Sequence, residues 1–151
     1  MIVTFDTNVL VYATASTSDV KTLRSRDLIA RAMRTPSSIL LLQTLAEFAN
    51  VAIRKAALPA ANVRAIVGAW RAALPVHAAE VDDVSAALEA VTRHEVAFWD
   101  AMLWAAARRL GVRYFITEDM QDGFELGGVR FVNPFNPAND RLIDDILPVT
   151  G

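Results

Sequence analysis

Four acidic side chains stand where a carboxylate is difficult to treat as ordinary surface. Asp6 closes the β-branched and aromatic run Ile2–Phe5, and Glu47 follows the aliphatic run Ile39–Leu42 by one helical turn. Asp100 is the single charge in Val96–Ala107, and Asp119 lies two residues past the run Val112–Thr117. Each has a local alternative. Asp6 can cap the next helix, Thr44 and Glu47 have capping-box spacing, and Asp100 lies near a helix start. Taken together they suggest other chemistry, because crowded carboxylates do not all stay ionised without a cation. Oxygen ligands without His or Cys favour Mg²⁺ or Mn²⁺. Such an ion binds phosphate oxygens and activates water for attack on a phosphodiester.

The elements that would carry these acids alternate along the chain. Runs at residues 2–5, 39–42, 114–117 and 129–132 read as strands, with helices between them. Helices are expected over Asp19–Met33, Gln43–Ala57, Ala60–Leu74, Val81–Thr92, Val96–Ala107 and Asp140–Ile146. In Asp19–Met33, Val20, Leu23, Leu28, Ile29 and Ala32 supply an apolar face, and Arg24, Arg26 and Arg31 belong to the solvated remainder. Val96–Ala107 is apolar almost throughout and predicts a helix buried on most of its circumference. The pattern implies an α/β fold with a mainly parallel central sheet flanked by helices (α/β/α), whose ligands sit outside the carboxyl ends of the strands. Asn50 and Arg54, three and seven residues after Glu47, share its helical stripe and are candidates for contact with a polyanion. Asp122-Gly123 reads as a turn, so Asp122 is conformational before it is chemical.

At 151 residues and 54% hydrophobic content the chain is large enough for one well-filled core, which excludes disorder. It contains no cysteine, so disulfides and thiolate metal sites are ruled out and a cytoplasmic setting is expected. No apolar run reaches the ~20 residues of a membrane span. The net charge of −2 divides unevenly. Residues 1–79 carry nine Lys/Arg against four Asp/Glu, and residues 80–151 carry six against thirteen. A basic face beside an acidic centre is compatible with that split, whereas a bulk nucleic-acid coat is not.

Asp6-Thr7-Asn8 after the first strand, Glu47 after the second, Asp100 in Trp-Asp-Ala and Thr117-Glu-Asp119 resemble the PIN-domain ribonucleases. Within them the chain is most similar to VapC-type toxins, notably over Thr117–Gly123 and Val129–Phe135. The resemblance covers residues 1 to about 136 of a single PIN-like domain spanning 1–151, leaving the tail 137–151 outside the motifs. It implies that Asp6, Glu47, Asp100 and Asp119 bind Mg²⁺ or Mn²⁺ and cleave RNA, with Thr7, Asn8 and Thr117 as orienting groups. Glu118 and Asp122 would be outer members of the set. A cognate antitoxin and a second copy of the chain are the implied partners. Two alternatives stay open. One is a non-catalytic module that keeps the fold. The other is an aspartyl-nucleophile phosphatase, disfavoured because Asn8 stands where a second Asp belongs and the only lysines are Lys21 and Lys55.

Overall fold

The first strand, β1 (Ile2–Phe5), lies near the middle of the molecule because both of its faces are covered. In this computed structural model, which describes residues 1–149, Val3 and Phe5 are fully buried on one face. On the other, the Thr4 hydroxyl donates to the Ile39 carbonyl. β4 (Val112–Ile116) runs parallel beside β1, and β6 (Val129–Val132) runs parallel beside β4. β2 (Leu40–Leu41) and β3 (Val76–His77) form a second parallel pair. A bridge between Val3 and Ser38 and the Ile39 N–H to Val3 carbonyl bond attach that pair to β1. Every strand so far points the same way, which places their carboxyl ends along one edge. The antiparallel member is β5 (Glu125–Leu126), returning into β6 through Gly127-Gly128, both at positive φ.

Helices cover both faces, giving an α/β/α fold. α1 (Thr7–Thr14), α2 (Val20–Met33), α3 (Leu42–Arg54), α4 (Ala60–Ala73) and α7 (Asp140–Ile146) pack around Phe5, Leu10, Phe48, Trp70 and Ile116. α5 (Val81–His94) and α6 (Phe98–Arg109) cover the opposite face around Phe115 and Phe131. Residues 101–107 of α6 are all buried, and Ala87 and Ala90 of α5 pack in the same cluster. Small side chains let two helices approach closely without voids. No helix among the described residues is long and apolar enough to cross a membrane.

Several local expectations are corrected. Val20 and Leu23 are exposed, and α2 faces the core through Leu28, Ile29 and Ala32. Arg31 is not solvated: it is buried and bridges Asp27 (2.8 Å) and Asp144 (2.7 Å), which joins α2 to α7. The second strand is two residues long, because Leu42 already opens α3 and is half exposed. The capping box at Thr44 and Glu47 does not form. α3 begins earlier, at an uncapped Leu41, and the Thr44 hydroxyl is buried within it. At the amino ends of the parallel strands, Met1 shares a hollow with Tyr114, Leu142 and Ile146 of the C-terminal helix.

Candidate active site

The parallel register sets the site. The Asp6 N–H bonds the Ile116 carbonyl and the Thr117 N–H bonds the Val132 carbonyl, so the exits of β1 and β4 lie side by side. Asp6 is only 8% exposed. One of its oxygens accepts from the Thr7 N–H and the other from the Thr117 hydroxyl, both at 2.7 Å. Burial raises its pKa to about 6 and the nearby Asp119 carboxylate adds to the rise, against the opposing pull of Thr117 and Thr7. Asp119 is held by the Asn8 amide at 2.9 Å, while its own N–H donates to the Thr117 hydroxyl at 3.1 Å.

Glu47 reaches the same edge from α3. It accepts from the Thr7 hydroxyl at 2.8 Å and from Gln43 at 2.9 Å. Gln43 also donates to the Trp99 carbonyl at 3.2 Å, which ties α3 to the first turn of α6. Asp100, in that turn, is not the cap of α6; Ala97 occupies that position. Burial raises the Asp100 pKa, followed by the negative charges of Asp119 and Glu47. Asp6, Asp100 and Thr117 border one cavity of about 10 Å³, near the size of a single water. A larger groove of about 440 Å³ adjoins Asp100 and Asp119.

Among the described residues, none of Asp6, Glu47, Asp100 and Asp119 forms a salt bridge. Among those residues, too, no three His, Cys, Asp or Glu side chains gather into a ready metal-ligand group. The acids therefore share an edge without closing on a common point. Their chemistry nonetheless fits a hard dication: the donors are all oxygen, their repulsion lacks a balancing charge, and Mg²⁺ is commonly held by one or two carboxylates with water completing the shell.

Two expected outer members are engaged elsewhere. Glu118 accepts from the Tyr12 hydroxyl and pairs with Lys21 at 2.6 Å. Asp122 accepts from the Asn133 N–H and from the side chains of Asn136 and Asn139, latching the segment after β6. Asn50 and Arg54 are exposed on α3. Gln43 was not singled out from the sequence; its position four residues before Glu47, one helical turn, was the available signal. Trp99 belongs to the helix expected to be buried on most of its circumference, yet it is 64% exposed beside Asp100.

The model of the PIN domain matches residues 3–124, and the chain belongs to the PIN domain family. Two solved structures share its fold at 19% sequence identity. One is VapC20 of Mycobacterium tuberculosis, a toxin that cleaves the sarcin-ricin loop (TM-score 0.61, 75% of this chain and 86% of that one). The other belongs to a toxin–antitoxin complex from Klebsiella pneumoniae (TM-score 0.64, 89% of this chain and 98% of that one). Among curated proteins, no sequence match is found.

Proposed function

We propose that this PIN domain is a divalent-metal-dependent endoribonuclease and the toxin of a type II toxin–antitoxin pair. The observation that carries the reading is the uncompensated carboxylate edge, where burial and mutual repulsion raise the pKa of both Asp6 and Asp100. Asp6, Glu47, Asp100 and Asp119 would hold one or two Mg²⁺ or Mn²⁺ ions. A bound ion supplies charge for phosphate oxygens and lowers the pKa of a coordinated water. The chain's part is positioning. Thr117 and the Thr7 N–H fix both Asp6 oxygens, Thr7 and Gln43 fix Glu47, and Asn8 fixes Asp119. Carboxylates locked in this way need little rearrangement when charge develops on a phosphate. Water adds to phosphorus, one phosphorus–oxygen ester bond breaks, and the proton given up by the water ends on the leaving oxygen. Asn50 and Arg54 are exposed on the stripe of Glu47 and suit backbone contact with RNA.

The likeness to a chain of the Klebsiella toxin–antitoxin complex supports an antitoxin partner; the reading places that partner over this edge and includes a homodimer acting in the cytoplasm. The test is cleavage of single-stranded RNA by the purified chain. Mg²⁺ or Mn²⁺ should support it, EDTA should abolish it, and Asp6→Asn or Asp100→Asn should each lower it by about 100-fold or more. Undiminished cleavage by both variants would overturn the assignment. Co-expression with the product of an adjacent small reading frame should suppress the activity.

A further inference from the structure

The groove beside Asp100 and Asp119 has features that metal binding does not explain. It lies between the turn joining α5 to α6 and the loop after β4. Its volume, about 440 Å³, falls within the ~300–1,000 Å³ of small-molecule sites. Val96, Met120 and Phe124 give it apolar surface, while His94, Glu95 and Gln121 give it hydrogen-bonding groups. Both boundaries are fixed. Glu95 ends α5 in the left-handed conformation, and the Phe124 N–H bonds the Gln121 carbonyl. Phe124 also stacks on Phe131, with ring planes 13° apart.

With Glu95, Asp100 and Asp119 around it, the groove repels a phosphate that is not bridged by a cation. A flat, uncharged ring with a polar edge suits it better. We infer that this groove receives one unpaired nucleobase adjoining the scissile phosphate, with Phe124 and Met120 against the ring and Glu95, His94 and Gln121 along its edge. Glu95, acting as an acceptor, favours bases that carry an exocyclic amino group. Asp100 and Asp119 border the groove, so a base seated there draws its phosphate to the carboxylate edge. The inference rests on the nuclease reading and adds a specificity site to it.

Fluorescent RNA pentamers, with an abasic ribose moved through each position, provide the probe. Binding is read by anisotropy with Ca²⁺ in place of Mg²⁺, and cleavage by wild type is followed in parallel with Mg²⁺. Loss of the base at one position should weaken wild-type binding about tenfold, in line with a base stacked on an aromatic ring. That loss should shrink in His94→Ala/Gln121→Ala, which keeps Phe124 and Met120 but removes edge contacts, and should vanish in Ala97→Trp, whose indole fills the groove; Ala97 is exposed, so folding is retained. A tenfold loss that persists in both variants, or a loss equal at every position, overturns the base site. Cleavage with position-independent binding overturns the base site alone. Groove-dependent binding without cleavage overturns the nuclease reading alone.

Discussion

Asp83 and Asp6 are both nearly buried, 3% and 8% exposed, yet their pKa values move in opposite directions. Burial by itself would raise both. At Asp83 the Arg109 guanidinium reverses that effect, with contacts of 3.0–3.1 Å to the two oxygens, and the Glu80 N–H adds a bond at 2.8 Å. At Asp6 the compensation consists of one hydroxyl and one amide, set against a second carboxylate. Arg31, buried between Asp27 and Asp144, follows the pattern of Asp83. The fold therefore supplies partners for buried charge in its scaffold and withholds them along one edge. A withheld partner is what a bound cation would replace.

The contrast is tested most severely by activity. Asp6→Asn should lose about 100-fold or more in metal-dependent RNA cleavage, whereas Asp83→Ala should retain wild-type cleavage per folded molecule. Stability should respond the other way. Asp83→Ala removes the closest partner of Arg109, which keeps Glu80 and the Ala78 carbonyl, and opens the N-terminus of α5, so urea unfolding should report a loss of about 1–2 kcal/mol. Asp6→Asn should stabilise the metal-free protein by about 1–2 kcal/mol at pH 8 in EDTA, because a carboxylate that resists ionisation has been neutralised.

That gain depends on pH. A native pKa raised to about 6 means that Asp6 contributes most stability while protonated, below its unfolded value of 3.8. The contribution is lost as pH rises through about 6, so the advantage of Asp6→Asn should grow from pH 4 to pH 6.5 and then level off. A melting-temperature difference that stays flat over that interval would dissolve the contrast between Asp6 and Asp83. The smallest effect belongs to Lys21→Met, which removes a half-exposed partner of Glu118 and should shift the melting temperature by no more than ~2 °C.

Much of the scaffold could be read from local pattern. Ile2–Phe5 and Val129–Val132 are strands with the expected bounds, and Asp140–Ile146 is the expected helix. The buried α6 follows from an alanine-rich, apolar stretch, Val96–Ala107, interrupted only by Asp100. Strand periodicity also placed Asp6 and Asp119 at exits of a parallel sheet. Local pattern failed where length or distance decides. Glu125–Leu126 is too short to show alternation, and its pairing depends on β6 across the Gly127-Gly128 turn. Where α3 starts inside the apolar run 39–42 is set by pairing with β3 and β1, so the capping box weighed as the alternative for Glu47 does not form. Arg31 looked solvated because its partner Asp144 is 113 residues away. The Gln43 bond to the Trp99 carbonyl, and the meeting of His94 and Gln121 at one groove, join separate elements, which spacing along one element does not encode.

The hollow shared by Met1 and Ile146 has a practical consequence. Met1 precedes β1 and α7 packs near it, at the end of the strands opposite the carboxylates. A tether attached through Met1 would thus leave the acids and the groove facing away from a sensor surface. Immobilised in that orientation, the protein could be exposed to RNA or to a candidate antitoxin with its reactive edge unobstructed.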